Sequence, residues 1–256
     1  MTAEEIRAGE IVLDAAAPFV VGVFTKRSPE QPDWQFATGT AIEFKGQKLV
    51  LTTAHVLSEK PGDQPTDLVF LPMPRGGFKI SKSLEGGIYP RSQRWDTSQV
   101  VGDRHTDLAA ILFRTPPQIA FFAVKDELTP HPVPGSRVAI CGYPKAKSKT
   151  VQVGVVVTDL ALADFQGASV LDGSSVTGMH PFQFAIDYPN MAGIVLPGGY
   201  SGAMVWCDEA NCGTVDQLQQ NLILGAAGIV TDHNLEHDAL LCTGASAIVG
   251  FLRRIS

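Results

Sequence analysis

Turn-forming residues interrupt this chain too often for long helices. Its 256 residues include 25 glycines and 17 prolines, and short runs rich in valine, isoleucine, threonine and phenylalanine lie between them. Residues 19–24, 36–44 and 49–53 are such runs, followed by 67–71, 99–101 and 108–113. β-Branched and aromatic side chains suit a pleated, half-buried surface, and the glycines and prolines between them supply turns. A second series covers 136–141, 150–159, 182–186, 203–206 and 222–231. Between the two series, residues 129–135 carry three prolines in five positions, which forbids regular structure and marks a linker. The expectation is an all-β chain in two halves, either two β-barrels or a pair of sandwiches, over residues 18–128 and 136–242. A helix is expected at each end. Thr2 and Glu5 have capping-box spacing within residues 1–17, and Ile248, Phe251, Leu252 and Ile255 share one helical face within 243–256. The C-terminal helix is expected to pack on the second half.

Composition excludes several classes of function. Hydrophobic residues make up 45% and charged residues only 18%, the reverse of a disordered chain. A net charge of −6 with no basic run argues against nucleic acid as a partner. No stretch reaches the roughly 20 apolar residues of a membrane span, so no membrane partner is expected. The first residues, Met1 to Glu5, are acidic where a secretory leader is basic. Four cysteines (Cys141, Cys207, Cys212, Cys242) are too few for a disulfide framework in a chain this long, and the expected setting is a reducing cytoplasm. No phosphate-binding glycine loop implies a nucleotide cofactor. Cys207 and Cys212 form at most half a metal site, without a second ligand pair. His233 and His237 have the four-residue spacing of helical zinc ligands, but the glycine and asparagine near them indicate a loop.

Three local patterns carry chemistry. His55 follows the strand 49–53 directly, where rigid backbone can aim an imidazole into a cleft. Asp107 opens the apolar run 108–113; alone it reads equally as a turn cap or as a partner for Arg104. Ser201 lies in Pro197-Gly198-Gly199-Tyr200-Ser201-Gly202. Glycines on both sides permit a tight turn in which the Gly199 and Ser201 amides converge beside a hydroxyl, as a tetrahedral oxyanion requires. Histidine and aspartate belong to the first strand series and serine to the second, so a joint site would lie between the halves.

Taken together, Thr-Ala-His at 53–55, Asp-Leu-Ala-Ala-Ile at 107–111 and Gly-Tyr-Ser-Gly at 199–202 make the chain resemble the trypsin-like serine proteases. Residues 38–42 and 139–144 are similar to bacterial members. The resemblance implies two six-stranded antiparallel β-barrels and serine endopeptidase activity. It assigns His55, Asp107 and Ser201 as a catalytic triad and the Gly199 and Ser201 amides as the oxyanion hole. No metal or cofactor is implied; the partner is a protein or peptide substrate.

The sequence also departs from that family. Tyr200 stands where secreted zymogens carry an aspartate that pairs with a newly cut N-terminus, so that activation route is absent. Ala203 replaces a usual glycine, and Val56 a usual cysteine. Regulation by a protein partner that orders residues 198–201 is therefore an expectation. The substrate pocket maps to Val195 and to Gly225, Ala226 and Ala227, which suggests an uncharged P1 side chain; His233 reaching the pocket would favour an acidic one instead. Two other readings remain. An α/β esterase needs its acid and histidine after the serine, within the last 55 residues of the chain. A catalytically idle trypsin-like fold would serve as a peptide-binding interaction module.

Overall fold

The computed structural model describes residues 11–12, 14–26, 34–58, 64–72, 93–126, 132–143, 149–153, 155–159, 163–187, 200–208 and 224–256. Among the described residues seven strands precede residue 127: β1 (Val20–Lys26), β2 (Gln35–Phe44), β3 (Gln47–Thr53), β4 (Asp67–Pro72), β5 (Thr97–Asp103), β6 (Leu108–Phe113) and β7 (Phe122–Ala123). A single helical turn, α1 (Ala54–Leu57), follows β3. The strands form one sheet in the order β4-β1-β2-β3-β6-β5, antiparallel throughout, with β7 added parallel to β2. Phe70 and Gln93 exchange two backbone hydrogen bonds of 2.7 and 2.8 Å, tying β4 to the segment entering β5 and curling the sheet towards closure.

The second half holds β8 (Arg137–Gly142), the hairpin β9 (Lys149–Val153) and β10 (Val155–Asp159), then β11 (Ala163–Ser169), β12 (Gln183–Asp187), β13 (Met204–Asp208), β14 (Leu224–Asn234) and β15 (Ala239–Gly244). Six of these make an antiparallel sheet in the order β11-β8-β13-β14-β15-β12, and a bridge between Val170 and Ile186 joins its two ends. The expected pair of six-stranded barrels thus forms, with β7 as a seventh strand in the first. Two residues paired to β2 are too short a run to leave a sequence signal.

Near-continuous apolar runs arise because the strands are covered on both faces. Successive side chains alternate across a strand, so Leu49 and Leu51 enter the core shared by the barrels while Val50 fills the first barrel. Met204 and Trp206 likewise face the shared core, and Val205 and Cys207 the second barrel. Trp206 is fully buried there, edge-on to Phe122 at 5.0 Å. Residues 11–12 and 14–16 are helical and lead into a 3-10 turn at Ala17–Phe19, with Val12, Ala16 and Ala17 buried in the same core. The rest of the expected N-terminal helix lies outside the described residues, as do residues 129–131 of the linker.

The C-terminal helix α2 (Ala245–Ile255) starts two residues later than expected, because Thr243 and Gly244 extend β15. It does not belong to the second half alone. Ile248, Phe251 and Leu252 enter the shared core, and Arg253 and Arg254 reach Asp126 and Asp103 of the first barrel. Cationic side chains in the last turn also suit the negative end of the helix dipole. Among the described residues no helix is long and apolar enough to cross a membrane.

Candidate active site

His55 sits in α1 at the end of β3, and Asp107 ends the four-residue turn joining β5 to β6. β3 and β6 pair antiparallel, with Thr53 opposite Leu108. That register brings the histidine after one strand beside the aspartate before the other. His55 Nδ1 lies 2.6 Å from Asp107 Oδ2, and the His55 backbone N–H donates to Oδ1 at 2.9 Å. The Ala54 N–H donates to the Asp107 carbonyl at 3.1 Å. A carboxylate held on Nδ1 fixes the tautomer in which Nε2 has a lone pair free of hydrogen. The His55 side chain is 40% exposed.

Ser201 comes from the second barrel. A tight turn spans residues 200–203, closed by the Ala203 N–H donating to the Tyr200 carbonyl at 2.7 Å. Gly202, its third residue, has φ +87°. A Cβ there would lie 2.0 Å from the Thr38 carbonyl oxygen and 2.3 Å from Thr52 Oγ1. The Ser201 turn is therefore pressed against β2 and β3, three residues before His55. Thr38 organises this contact: its N–H donates to the Ser201 carbonyl at 3.0 Å, its carbonyl accepts from Thr52 Oγ1 at 2.7 Å, and its hydroxyl accepts from the Tyr143 N–H at 2.9 Å. Thr38 and Thr52 escape sequence inspection because each looks like an ordinary strand threonine. Their hydrogen bonds separate them: Thr25, Thr40 and Thr53 are just as buried, but their hydroxyls have no partner among the described residues.

Val195 and Gly199 lie outside the described residues. Gly225 and Ala226 pair with Cys207 and Trp206, and both line a cavity with Phe122, Met204 and Ile248 under α2. Ala227 packs inside the second barrel, in the cluster that contains Tyr200. The part of β14 that adjoins the Ser201 turn is Val230: its N–H donates to the Ala203 carbonyl at 2.9 Å, and its carbonyl accepts from the Gly202 N–H at 2.8 Å. Asp232 and His233 follow it. His233 Nε2 lies 3.4 Å from Asp238, whereas His237 contacts the Thr177 hydroxyl, so this spacing does not converge on one point. Among the described residues no group of three His, Cys, Asp or Glu side chains is arranged to hold a metal ion.

No family model matches the chain, and no curated protein matches it. Solved structures do. An inactivated protease paralogue from the scabies mite aligns with 95% of this chain and 95% of its own, at TM-score 0.59 and 18% identity. A protease from M. tuberculosis, in its active form, aligns with 98% of this chain and 86% of its own at TM-score 0.52 and 17% identity. The serine endoprotease from Yersinia pestis aligns with 98% of this chain and 65% of its own, at TM-score 0.55 and 13% identity. The chain has the trypsin-like serine protease fold.

An all-β trypsin-like fold leaves no place for the α/β esterase arrangement. It also makes physical sense of the two departures next to the serine. Tyr200 is fully buried in the second barrel's core, so the position directly before the serine is filled by a packed aromatic ring. The Ala203 methyl is accommodated by Gly142: a Cβ at that glycine would lie 3.0 Å from Ala203 Cβ and 3.1 Å from the Tyr200 ring.

Proposed function

We propose that this chain is a serine endopeptidase that cleaves peptide bonds through an acyl-enzyme. The observation carrying this reading is the 2.6 Å pairing of His55 Nδ1 with Asp107 at the edge of the surface on which the Ser201 turn is docked. Ser201 Oγ attacks the substrate carbonyl carbon while His55 Nε2 takes its proton. Asp107 holds the imidazole in the required tautomer and stabilises the imidazolium. The Gly199 and Ser201 amides donate to the oxyanion. Collapse of the tetrahedral adduct expels the amine, which receives the proton from His55, and water then hydrolyses the ester at Ser201.

The wall of the substrate cleft after the serine is, on this reading, Val230 to His233, with Gly225 to Ala227 further along the strand. Buried thiols at Cys141, Cys207 and Cys242 support a reducing, cytoplasmic setting. With Tyr200 in place of a salt-bridging aspartate, control falls to a protein partner acting on residues 198–201.

A fluorophosphonate probe tests the reading. The chain should be labelled covalently, Ser201→Ala should abolish labelling, and His55→Ala should slow it by several orders of magnitude. Absence of labelling, with and without candidate partner proteins, would favour a catalytically idle peptide-binding module.

A further inference from the structure

His55 and Asp107 both belong to the first barrel, yet a residue of the second barrel holds the peptide that orients the carboxylate. Asp107 has φ +53°, a left-handed conformation uncommon for residues other than glycine. Rotation about φ of Asp107 is rotation of the peptide plane joining it to Thr106. The planar unit moves as one body, so fixing the Thr106 carbonyl oxygen fixes that rotation. The Thr106 carbonyl accepts from Thr243 Oγ1 at 2.8 Å, across 137 residues of chain. Thr243 lies in β15, between Gln183 of β12 and Ile229 of β14 in the register, and is fully buried. Water therefore has no access to replace its hydroxyl. Thr106 is buried as well, so losing this donor leaves a carbonyl inside the protein without it.

Other second-barrel groups grip the same turn from outside. His180 and Phe182 stack on each other with centroids 5.2 Å apart, and His105 stands edge-on to both. Arg254 of α2 binds Asp103. These contacts hold the turn to the second barrel, but among the described residues it is the Thr243 hydroxyl that bonds to the peptide whose rotation sets the conformation of Asp107.

We propose that Thr243 is a positioning residue for the Asp107 carboxylate, through which the second barrel sets the geometry of a histidine–aspartate pair carried by the first. For its effect on catalysis this rests on the serine-hydrolase reading; for its effect on the pair itself it does not.

Thr243→Val keeps shape and removes the hydroxyl, while Thr243→Ser keeps the hydroxyl. Two readouts are compared: the downfield proton resonance of His55 Nδ1, which reports the short bond to Asp107, and the maximal rate of fluorophosphonate labelling at Ser201. In Thr243→Val the resonance should move upfield or broaden, and labelling should slow about fivefold, the rate equivalent of one net hydrogen bond. The probe concentration giving half-maximal rate should stay the same. Thr243→Ser should preserve both signals. Should Thr243→Val not fold, Thr243→Ala carries the same comparison with less side chain to place. An unmoved resonance in the hydroxyl-less variants overturns the inference, as does a Thr243→Ser protein that loses as much as Thr243→Val. A moved resonance in a chain whose wild type takes no label upholds the inference and sinks the hydrolase reading.

Discussion

Gly202 shows how narrowly single residues are constrained at this site. Its φ of +87° disfavours any side chain, and a methyl group there meets the Thr38 carbonyl oxygen at 2.0 Å. Backbone oxygen cannot rotate aside as a flexible side chain can. Gly202→Ala should therefore destabilise the protein by about 3 kcal/mol or more, combining left-handed strain with overpacking. Urea denaturation against the wild type measures this; a change under about 1 kcal/mol would mean that the Ser201 turn yields more readily than its contacts indicate. The glycine is legible in sequence as part of the Gly-Tyr-Ser-Gly pattern. The reason it must be glycine is not, because the atoms it meets lie more than 140 residues away in β2 and β3.

At the scale of elements, the shared core between barrels depends on β13 turning Met204 and Trp206 outwards from its own barrel. Trp206 is fully buried and its indole N–H has no hydrogen-bond partner among the described residues. Its contribution is thus packing, against Phe122 at 5.0 Å and Phe19 at 6.3 Å. Trp206→Ala should cost about 3–5 kcal/mol, the range for deleting a large buried aromatic. Trp206→Phe should recover much of that, since it removes a buried donor that has no partner among the described residues. Chemical denaturation of the two variants decides it: equal losses would show that the indole N–H matters after all. Strand positions were legible from local composition, as β1, β2, β3, β6 and β8 illustrate, because alternation and β-branched enrichment are local properties. β7, β11 and β15 were not, and the single run expected over 150–159 folds as the two strands β9 and β10. β7 is two residues long, and β15 merges in sequence with the apolar start of α2.

For the molecule as a whole, α2 fastens the two barrels together through its C-terminal turn. Asp126 of the first barrel accepts from Arg253 Nε at 2.8 Å, and Lys45 Nζ lies 3.1 Å away. Hydrogen bonds from the Arg253 guanidinium first, and the Lys45 ammonium second, hold the Asp126 carboxyl below the usual carboxylate range. A depressed folded-state pKa adds stability above the unfolded-state pKa, and that stability is lost as pH falls through the lower folded value. Docking of the α2 terminus should accordingly weaken in acid. Hydrogen exchange of the last α2 amides, followed from neutral pH to about pH 3, should show wild type and Asp126→Asn differing at neutral pH and converging at the acidic end. A constant difference across that range would refute the assignment. The effect should be small and should shrink with added salt, because the group lies at the solvent-exposed surface.

The strand-rich architecture and the residue types of the candidate site follow from sequence, since both are written in short local patterns. Tertiary structure alone decided how those patterns meet. The register of β3 on β6 put Asp107 on His55, and the pairing of β13 with β14, shifted by a β-bulge between Val205 and Trp206, set Val230, rather than Ala227, beside the Ser201 turn. Such a bulge adds one residue to a strand and shifts all pairing beyond it, without a distinct sequence signature. The Thr243 hydroxyl belongs to the same category. A threonine in a strand becomes a support for Asp107 only when two barrels, folded from distant parts of the chain, are packed face to face.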